Sequence, residues 1–364
     1  SNYYTVSYYL GNGSTNAAYQ KLTQTVEEGT VVTFAKVPAR TGYVNQGWSS
    51  KKNSEKATAK AKCTVNKNIT LYAVQKKAVQ LTFHRCDGST WQKTTLAKGS
   101  SYSLPGVRDA EGYTFMGWST KPMQSVSPQY EAEEKITVNG NVDLYAVVFN
   151  RTTETDLTED QLPQVDIYKY KQVIFVGDSR TEFMENVLTG MGESATKNVK
   201  FVCSAGKGLD WFTTTGWAQL YSIVQHDSNS ILSKKTAVIF NFGVNDLSKS
   251  ADYAEYYNWI APQLKSKGCE LYFMSVNPVN RLMLPNAGRA DRSEAAVRSF
   301  NQYMKANLSS AYTYIDMYSY LKSTGYSFAS DHYGTGTVDD GLHYTTRTYK
   351  RIFAKCMDSL RVPA

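Results

Sequence analysis

The chain has 364 residues, of which 41% are hydrophobic and 20% are charged, a composition typical of soluble globular protein rather than of a disordered chain. The length predicts two or three domains, and the sequence has no apolar run as long as a membrane-spanning helix. The net charge of +8 lies almost wholly in residues 1–150, where 17 Lys and Arg stand against 10 Asp and Glu; the remaining residues hold 23 against 22.

The start of the chain and the number and spacing of its cysteines give two further indications. The chain opens on Ser1 in strand-like sequence without an initiating Met, so we expect that a signal or anchor segment precedes it in the natural protein. The five cysteines are odd in number and show no Cys-x-x-Cys spacing. They therefore predict plain thiols rather than a zinc site or a disulfide framework.

Two segments of the first 150 residues repeat each other. Gly42–Lys51 recurs as Gly112–Lys121, and Thr64–Val74 recurs as Thr137–Val147. Each copy alternates short strand-like runs with Gly and Asn turns, which predicts a small β-rich unit. The tryptophan of each copy is interpreted as a core anchor, with a stacking platform for sugars as the alternative.

These copies resemble the internalin B-type (Listeria–Bacteroides) repeat, through the patterns Gly-Tyr-x-Phe-x-Gly-Trp and Leu-Tyr-Ala. The first copy departs from the pattern, with Asn45 where the second has Phe115. The resemblance implies β-grasp-like modules, at residues 1–77 and 78–150, that serve surface proteins as spacers or binders and have no catalytic activity.

The basic charge of the repeats is concentrated in Lys51–Lys77. A solvated lysine-rich face explains this, and weak association with an anionic wall polymer is the alternative. A nucleic-acid partner is not indicated, because the residues typical of nucleic-acid-binding modules are missing.

Residues 151–169 are polar and acidic and predict a linker, after which strand-like and helical patterns alternate through residues 170–364. The pattern predicts a flavodoxin-like, doubly wound parallel sheet of five strands in the order 2-1-3-4-5, within an α/β domain. The expected strands are Val173–Val176, Val199–Cys203, Ala237–Phe242, Leu271–Val276 and Tyr312–Asp316. The expected helices are Thr181–Leu188, Tyr253–Lys267, Arg292–Asn307 and Thr345–Leu360.

Ser179 follows the first of these strands directly, at the edge of the sheet where open α/β folds bind ligands. A serine hydroxyl becomes a nucleophile only beside an imidazole base that a carboxylate orients. His343 is the expected base, because Asp340 lies three residues before it on one turn. His332, preceded by Asp331, is the rival.

The other two histidines, His84 and His226, are expected to be ordinary structural or surface residues. Asn245, in a Gly-Val-Asn-Asp turn after the third strand, is expected to donate to an oxyanion, together with the backbone amides of Ser179 and Gly206.

The ordered set Gly-Asp-Ser, glycine, Gly-x-Asn-Asp and Asp-x-x-His resembles the SGNH (GDSL-type) hydrolases over residues 170–364. The resemblance implies Ser179 as nucleophile, His343 as general base and acid, and Asp340 as its orienting partner. It implies Asn245 and Gly206 as oxyanion donors, with Gly208 as the alternative glycine. No metal or organic cofactor is implied.

Arg180 departs from this family, which has leucine after the serine. An arginine at this position argues against a hydrophobic pocket for a long acyl chain. It is interpreted as a cation beside a polar substrate, with an ion pair with a nearby carboxylate as the alternative. We therefore expect an extracellular or cell-surface bacterial esterase that removes acetyl groups from a polysaccharide or cell-wall glycan. An O-acetyltransferase using the same site, and a non-catalytic adhesin acting through its repeats, are the alternatives.

Overall fold

The computed structural model of the chain describes residues 2–226, 235–333 and 336–360. In chain order its strands are β1 (Tyr3–Tyr9), β2 (Gln24–Glu27), β3 (Val31–Thr33), β4 (Tyr43–Ser49), β5 (Lys62–Thr64), β6 (Ile69–His84), β7 (Thr90–Ala97), β8 (Ser100–Ser103), β9 (Tyr113–Ser119), β10 (Lys135–Val138), β11 (Val142–Asn150), β12 (Tyr170–Gly177), β13 (Val199–Cys203), β14 (Lys235–Asn241), β15 (Cys269–Met274), β16 (Tyr312–Ile315), β17 (Phe328–Tyr333) and β18 (Gly336–Tyr344). Its helices are α1 (Ala17–Gln20), α2 (Ser179–Met191), α3 (Glu193–Thr196), α4 (Leu209–Trp211), α5 (Trp217–Val224), α6 (Ser250–Lys265), α7 (Glu294–Asn307), α8 (Met317–Thr324) and α9 (Thr346–Leu360).

The chain forms two compact units. The first contains residues 1–85, 89–102 and 135–144, and the second contains residues 86–88, 103–134 and 145–364. Among the described helices, none has the length and apolar character needed to cross a membrane.

Strand β6 is the centre of the first unit. It pairs in parallel with β1 and antiparallel with β4 and β7. Trp48 is buried beside it and donates its indole N–H to the carbonyl of Ala35 at 2.6 Å. In the second unit Trp118 is buried likewise and donates to the carbonyl of Pro105 at 2.9 Å. Both tryptophans therefore anchor cores, as the repeat pattern predicts.

The second unit contains a five-stranded parallel sheet in the order β13-β12-β14-β15-β16, so the predicted order 2-1-3-4-5 is confirmed. Alternate residues of β12 enter different cores. Val173 and Phe175 pack with residues of α2 and α9, whereas Ile174 and Val176 pack with residues of α6 and α7. Burial on both faces explains the unbroken apolar run of this strand.

The structure adds elements that the sequence pattern did not predict. Helices α5 and α8 are short, and β17 pairs with β18 in an antiparallel hairpin outside the parallel sheet. The segment 151–169, predicted to be a linker, contains two 3-10 turns and the buried carboxylate of Glu154, which accepts from Thr348 at 2.7 Å.

Candidate active site

The site lies at the carboxyl ends of three neighbouring strands. Gly177, the last residue of β12, stands opposite Cys203 of β13 and Asn241 of β14 in the parallel ladders. The turns that follow these strands therefore emerge at one edge of the sheet. They carry Ser179, Gly206 and Asn245, whose convergence the strand order predicts.

Helix α2 begins at Ser179, and Asp178 caps it. The carboxylate of Asp178 accepts from the backbone N–H of Arg180 at 3.0 Å, which satisfies one of the open donors of the first turn. Burial raises the pKa of Asp178 to about 6. The cap fixes the turn on which Ser179 stands.

Ser179, His343 and Asp340 form a continuous hydrogen-bonded chain. Oγ of Ser179 is 2.9 Å from Nε2 of His343, and Nδ1 of the same ring is 2.5 Å from Oδ2 of Asp340. All three residues are buried. This is the geometry in which a serine hydroxyl can pass its proton to an imidazole that a carboxylate orients.

The carboxylate of Asp340 is held in several ways. Its Oδ1 accepts the backbone N–H groups of Leu342 and His343 at 2.8 and 2.7 Å. Burial raises the pKa of Asp340, but the hydrogen bonds from the His343 ring and from these amides outweigh it, so the pKa lies below its usual value. Asp340 is therefore an anion at neutral pH, as an orienting group must be.

A glycine permits this turn. Gly341 has a φ of +66°, and a Cβ there would lie 2.5 Å from the carbonyl oxygen of Asn280. Any other residue would combine a strained backbone with a steric clash. The rival base, His332, belongs to β17, and its side chain is outside the described residues.

Two loops that carry expected oxyanion donors are joined to each other. Nδ2 of Asn245 donates to the carbonyl of Lys207 at 2.8 Å, in the same loop as Gly206. An amide group carries two N–H protons, so this bond leaves one with which Asn245 can serve an oxyanion.

The two candidate glycines differ in their surroundings. Gly206 has a φ of +73° and no atom within 4 Å of the place where a Cβ would stand. At Gly208 a Cβ would meet the carboxylate of Asp246 at 2.4 Å, and that carboxylate accepts the N–H of Leu209 at 2.9 Å. Glycine is required at position 208 because a side chain would clash with Asp246. At position 206 it is favoured by the positive φ, and no atom lies close to the place of a side chain.

Arg180 lies in a different place from the one predicted. Its side chain is buried, with 4% of the residue exposed, and its three nitrogens donate to the carbonyls of Leu342, Asn277 and Pro278 at 2.7–2.9 Å. It therefore donates to backbone carbonyls rather than to a substrate or to a carboxylate. It joins the start of α2 to the turn that carries His343.

Two other arginines approach the site and were not predicted. Arg292 donates from Nη2 to Oδ1 of Asn245 at 2.7 Å and from Nε to the carbonyl of Val244 at 2.9 Å. Arg289 lies 3.7 Å from Oδ2 of Asp340. No sequence motif singles out either residue, because each acts on a partner about 50 positions away in the chain.

A cavity of about 330 Å³ lies beside Asn245. Its lining is mixed, with polar side chains of Ser248, Asp291, Arg292 and Ser293 among small apolar ones. Within the described residues no cluster of His, Cys, Asp and Glu has the form of a metal site, and none of the five cysteines forms a disulfide; two of them are buried and three partly buried.

The chain matches two known families. Residues 4–74 and 80–147 match the Listeria-Bacteroides repeat domain, and residues 173–356 match the GDSL-like Lipase/Acylhydrolase family. No curated protein matches the chain.

Three of the solved structures that are similar to this chain cover about half of it. One, assigned to the SGNH hydrolases, comes from Slackia heliotrinireducens; it has 12% identity and a TM-score of 0.36 and covers 53% of this chain and 100% of its own. An acetyl xylan esterase has 12% identity, a TM-score of 0.31 and coverage of 52% and 98%. The catalytic domain of peptidoglycan O-acetyltransferase A from Streptococcus pneumoniae has 14% identity, a TM-score of 0.31 and coverage of 53% and 93%.

The acylhydrolase match spans half of the chain and contains each residue of the hydrogen-bonded chain described above. The protein therefore belongs to the GDSL-like lipase/acylhydrolase family, and two Listeria-Bacteroides repeats precede its hydrolase domain.

Proposed function

We propose that the protein is an extracellular serine esterase that removes short acyl groups, acetyl above all, from a polysaccharide or cell-wall glycan. The observation that carries the proposal is the buried chain from Ser179 through His343 to Asp340, with links of 2.9 and 2.5 Å. A second support is membership of an acylhydrolase family.

In the proposed mechanism Oγ of Ser179 attacks the ester carbonyl while Nε2 of His343 takes its proton. The carbonyl oxygen becomes an oxyanion and receives hydrogen bonds from the amide of Asn245 and the backbone N–H groups of Ser179 and Gly206. His343 then gives the proton to the departing sugar hydroxyl, which leaves an acetyl-enzyme. Water attacks this ester with His343 again as base, and His343 then returns the proton to Oγ of Ser179 as acetate is released.

Asp340 and Arg292 have supporting roles in this mechanism. Asp340 accepts a hydrogen bond from Nδ1–H of His343, so that Nε2 carries no proton and faces the serine, and it stabilises the imidazolium that forms. Arg292 donates to Oδ1 of Asn245, which turns the amide nitrogen away from the guanidinium. One amide proton is donated to the carbonyl of Lys207, and the other is left for an acceptor such as the oxyanion.

The polar character of the substrate is inferred from the cavity that adjoins Asn245, the expected oxyanion donor; neither Ser179 nor His343 lines this cavity. At about 330 Å³ it is at the small end of the range for ligand pockets, about 300–1,000 Å³. Its hydroxyl, carboxylate and guanidinium groups suit sugar hydroxyls better than a long alkyl chain. The extracellular location is inferred from the repeats, which resemble modules of bacterial surface proteins.

The test is hydrolysis of p-nitrophenyl acetate by the wild type, Ser179→Ala and His343→Ala. We expect both variants to lose nearly all activity while keeping the wild-type unfolding transition. Equal rates in all three proteins would refute the esterase and favour a surface adhesin. Retention of the full chain on wall material would support the adhesin. A comparison of acetate with octanoate esters tests the short-acyl preference, and faster cleavage of octanoate would refute it.

The natural substrate is sought among acetylated xylan, mannan, peptidoglycan and sialic acid. Release of free acetate from one of them supports hydrolysis. Transfer of the acetyl group to an added sugar acceptor, in place of free acetate, would identify an O-acetyltransferase that uses the same acyl-enzyme.

A further inference from the structure

Part of the second repeat belongs to the same compact unit as the hydrolase sheet. Residues 103–134 and 145–150, which include β9 and most of β11, fall within the second unit. Met116, Val147 and Phe149 are buried in the hydrophobic cluster that also contains Phe175 and Phe353 of the hydrolase region. A core of this kind is not the surface of a module on a flexible tether.

Asp109 and Arg151 connect this repeat to the turn that carries Asp340. Oδ2 of Asp109 accepts from Nη2 of Arg151 at 2.8 Å, and Nη1 of Arg151 lies 2.8 Å from Oδ2 of Asp339. Asp339 precedes Asp340 directly in β18. One side of the catalytic turn is therefore held by a charge chain that begins in the repeat.

Asn280 holds the other side of the same turn. Its side-chain amide donates to Oδ1 of Asp109 at 3.1 Å and to the carbonyl of Val107 at 3.0 Å. Its backbone N–H donates to the carbonyl of Gly341 at 2.9 Å. Asp340 thus stands between two residues that are both tied to Asp109.

Glu133 contacts the start of helix α7, close to Arg292 and therefore to Asn245, the expected oxyanion donor. Its Oε2 accepts the backbone N–H of Ala295 at 2.8 Å and the hydroxyl of Ser293 at 3.1 Å, and it also pairs with Arg281. A carboxylate from the repeat therefore binds the first turn of α7. Arg292, which orients Asn245, stands immediately before that turn.

The first repeat has no equivalent of these two carboxylates. The Gly-Tyr and Gly-Trp pairs align Asp109 with Ala39. The strand contacts Phe34–Ala61 and Leu104–Glu134 correspond, which aligns Glu133 with Lys60. The repeat fold is therefore formed in the first copy without either carboxylate. Asp109 also accepts the backbone N–H of Phe115 in its own repeat at 2.8 Å, so the contacts that both carboxylates make outside the repeat are what distinguishes the second copy.

We propose that Asp109, Arg151 and Glu133 are positioning residues for the hydrolase site, so that the second repeat completes the catalytic unit. Asp109 and Arg151 act through the turn of Asp340 and His343, and Glu133 acts through Arg292 on Asn245. The inference rests on the proposed esterase function.

The expected size of the effect follows from the geometry of catalysis. The proton transfer depends on the 2.9 Å contact between Ser179 and His343, and a displacement of about 1 Å in such a contact costs roughly 10²-fold in rate. Binding of a small ester does not depend on that contact. Loss of a positioning residue therefore lowers kcat and leaves KM nearly unchanged.

The experiment uses the full chain with Asp109→Asn and Glu133→Gln. The matched control is Glu131→Gln, a carboxylate of the same repeat that pairs with Lys322 at 3.2 Å and accepts from Tyr318 at 2.6 Å, both on helix α8, which carries no proposed site residue. Its contact with α7 is a 3.9 Å approach to Arg298, beyond the first turn that Glu133 binds. Asp109→Asn keeps an oxygen for Asn280 but presents an NH₂ group to Arg151.

We measure kcat and KM for p-nitrophenyl acetate, the rate at which a fluorophosphonate modifies Ser179, and urea unfolding. Asp109→Asn and Glu133→Gln are expected to lower kcat and the modification rate by roughly 10–100-fold at constant KM, at temperatures where they remain folded. Glu131→Gln is expected to leave both rates within twofold of wild type, whatever its effect on stability.

Wild-type rates for folded Asp109→Asn and Glu133→Gln would overturn the proposal, as would an equal loss in all three variants that follows their stability. Failure of the esterase function has a different signature, since the wild type would then neither hydrolyse the ester nor react with the fluorophosphonate. If it reacts but does not hydrolyse this ester, the modification rates alone decide on the positioning residues.

Discussion

Asp340→Asn separates the orienting role of this carboxylate from its role in folding. The asparagine keeps Oδ1, which accepts the backbone N–H groups of Leu342 and His343, but places an NH₂ group where Oδ2 now meets Nδ1 of His343. Nδ1 of His343 must then accept a hydrogen bond from this NH₂ group, so the proton of the neutral ring lies on Nε2, which faces Ser179. A protonated Nε2 cannot take the serine proton, so we expect kcat to fall on the order of 10⁴-fold.

Asp340→Ala is expected to differ in stability. Both backbone N–H groups would lose their acceptor, at about 1–3 kcal/mol each, so the free energy of unfolding should fall by about 2–6 kcal/mol, whereas Asp340→Asn should lose little. The measurements are kcat for p-nitrophenyl acetate and urea unfolding of each variant. The control is Asp316→Asn, which alters a carboxylate that caps α8, and it should preserve kcat. A folded Asp340→Asn with kcat within tenfold of wild type would refute the tautomer argument.

Four further predictions follow from other contacts. Arg180→Met removes the donors of three buried carbonyls and should lower the free energy of unfolding by about 3–5 kcal/mol in urea, whereas a surface role would leave it unchanged. Gly243→Ala puts a Cβ 2.5 Å from the ring of Phe300 at a φ of +129°, so both Tm and kcat should fall; an unaltered Tm would contradict the packing argument. Asn245→Ala should lower kcat on the order of 10²–10³-fold, and an unchanged kcat would exclude this residue from the oxyanion site. Burial raises the pKa of Asp109 to about 6, so the native state binds the proton of this carboxyl group more tightly than the unfolded state does. The contribution of Asp109 to the free energy of unfolding should therefore fall by about 3 kcal/mol as pH rises from about 4 to 6. Urea titrations at several pH values should show that Asp109→Asn removes this part of the pH dependence.

The parallel sheet was predictable because its signal is local. Residues Val173–Val176 are apolar without interruption, since both faces of β12 are covered, and the glycine after them ends the strand. The order of motifs then placed Ser179 and Asn245 at one edge, because connections in such sheets follow few topologies. Chain order alone could not supply the 2.9 Å contact between Ser179 and His343.

The hairpin that carries His343 was not predicted, and the reason is its composition. Residues 328–344 are rich in Gly, Ser, Thr and Asp and read as a loop, although β17 and β18 pair along them. The predicted position of the Arg180 side chain differs from the structure for a related reason. Its carbonyl partners lie 97–162 residues away in the chain, and a substitution in a local motif does not show whether the new side chain turns inward or outward.

The two repeats show how a family pattern and the role of a module can be encoded by different residues. The shared Gly-Tyr and Gly-Trp pairs specify the core around Trp48 in one copy and Trp118 in the other, and these positions identify the family. The carboxylates of Asp109 and Glu133 are outside that pattern, yet they contact residues of the hydrolase region close to the site. The residues of a family pattern are those that the fold of the repeat requires. The region of the protein that a repeat contacts is determined by other side chains, which the fold allows to vary. A domain boundary placed after residue 150, where the repeat pattern ends, would therefore cut through one hydrophobic core and separate Asp109 from Arg151. A shorter chain that is intended to retain the hydrolase site therefore has to include residues 103–134.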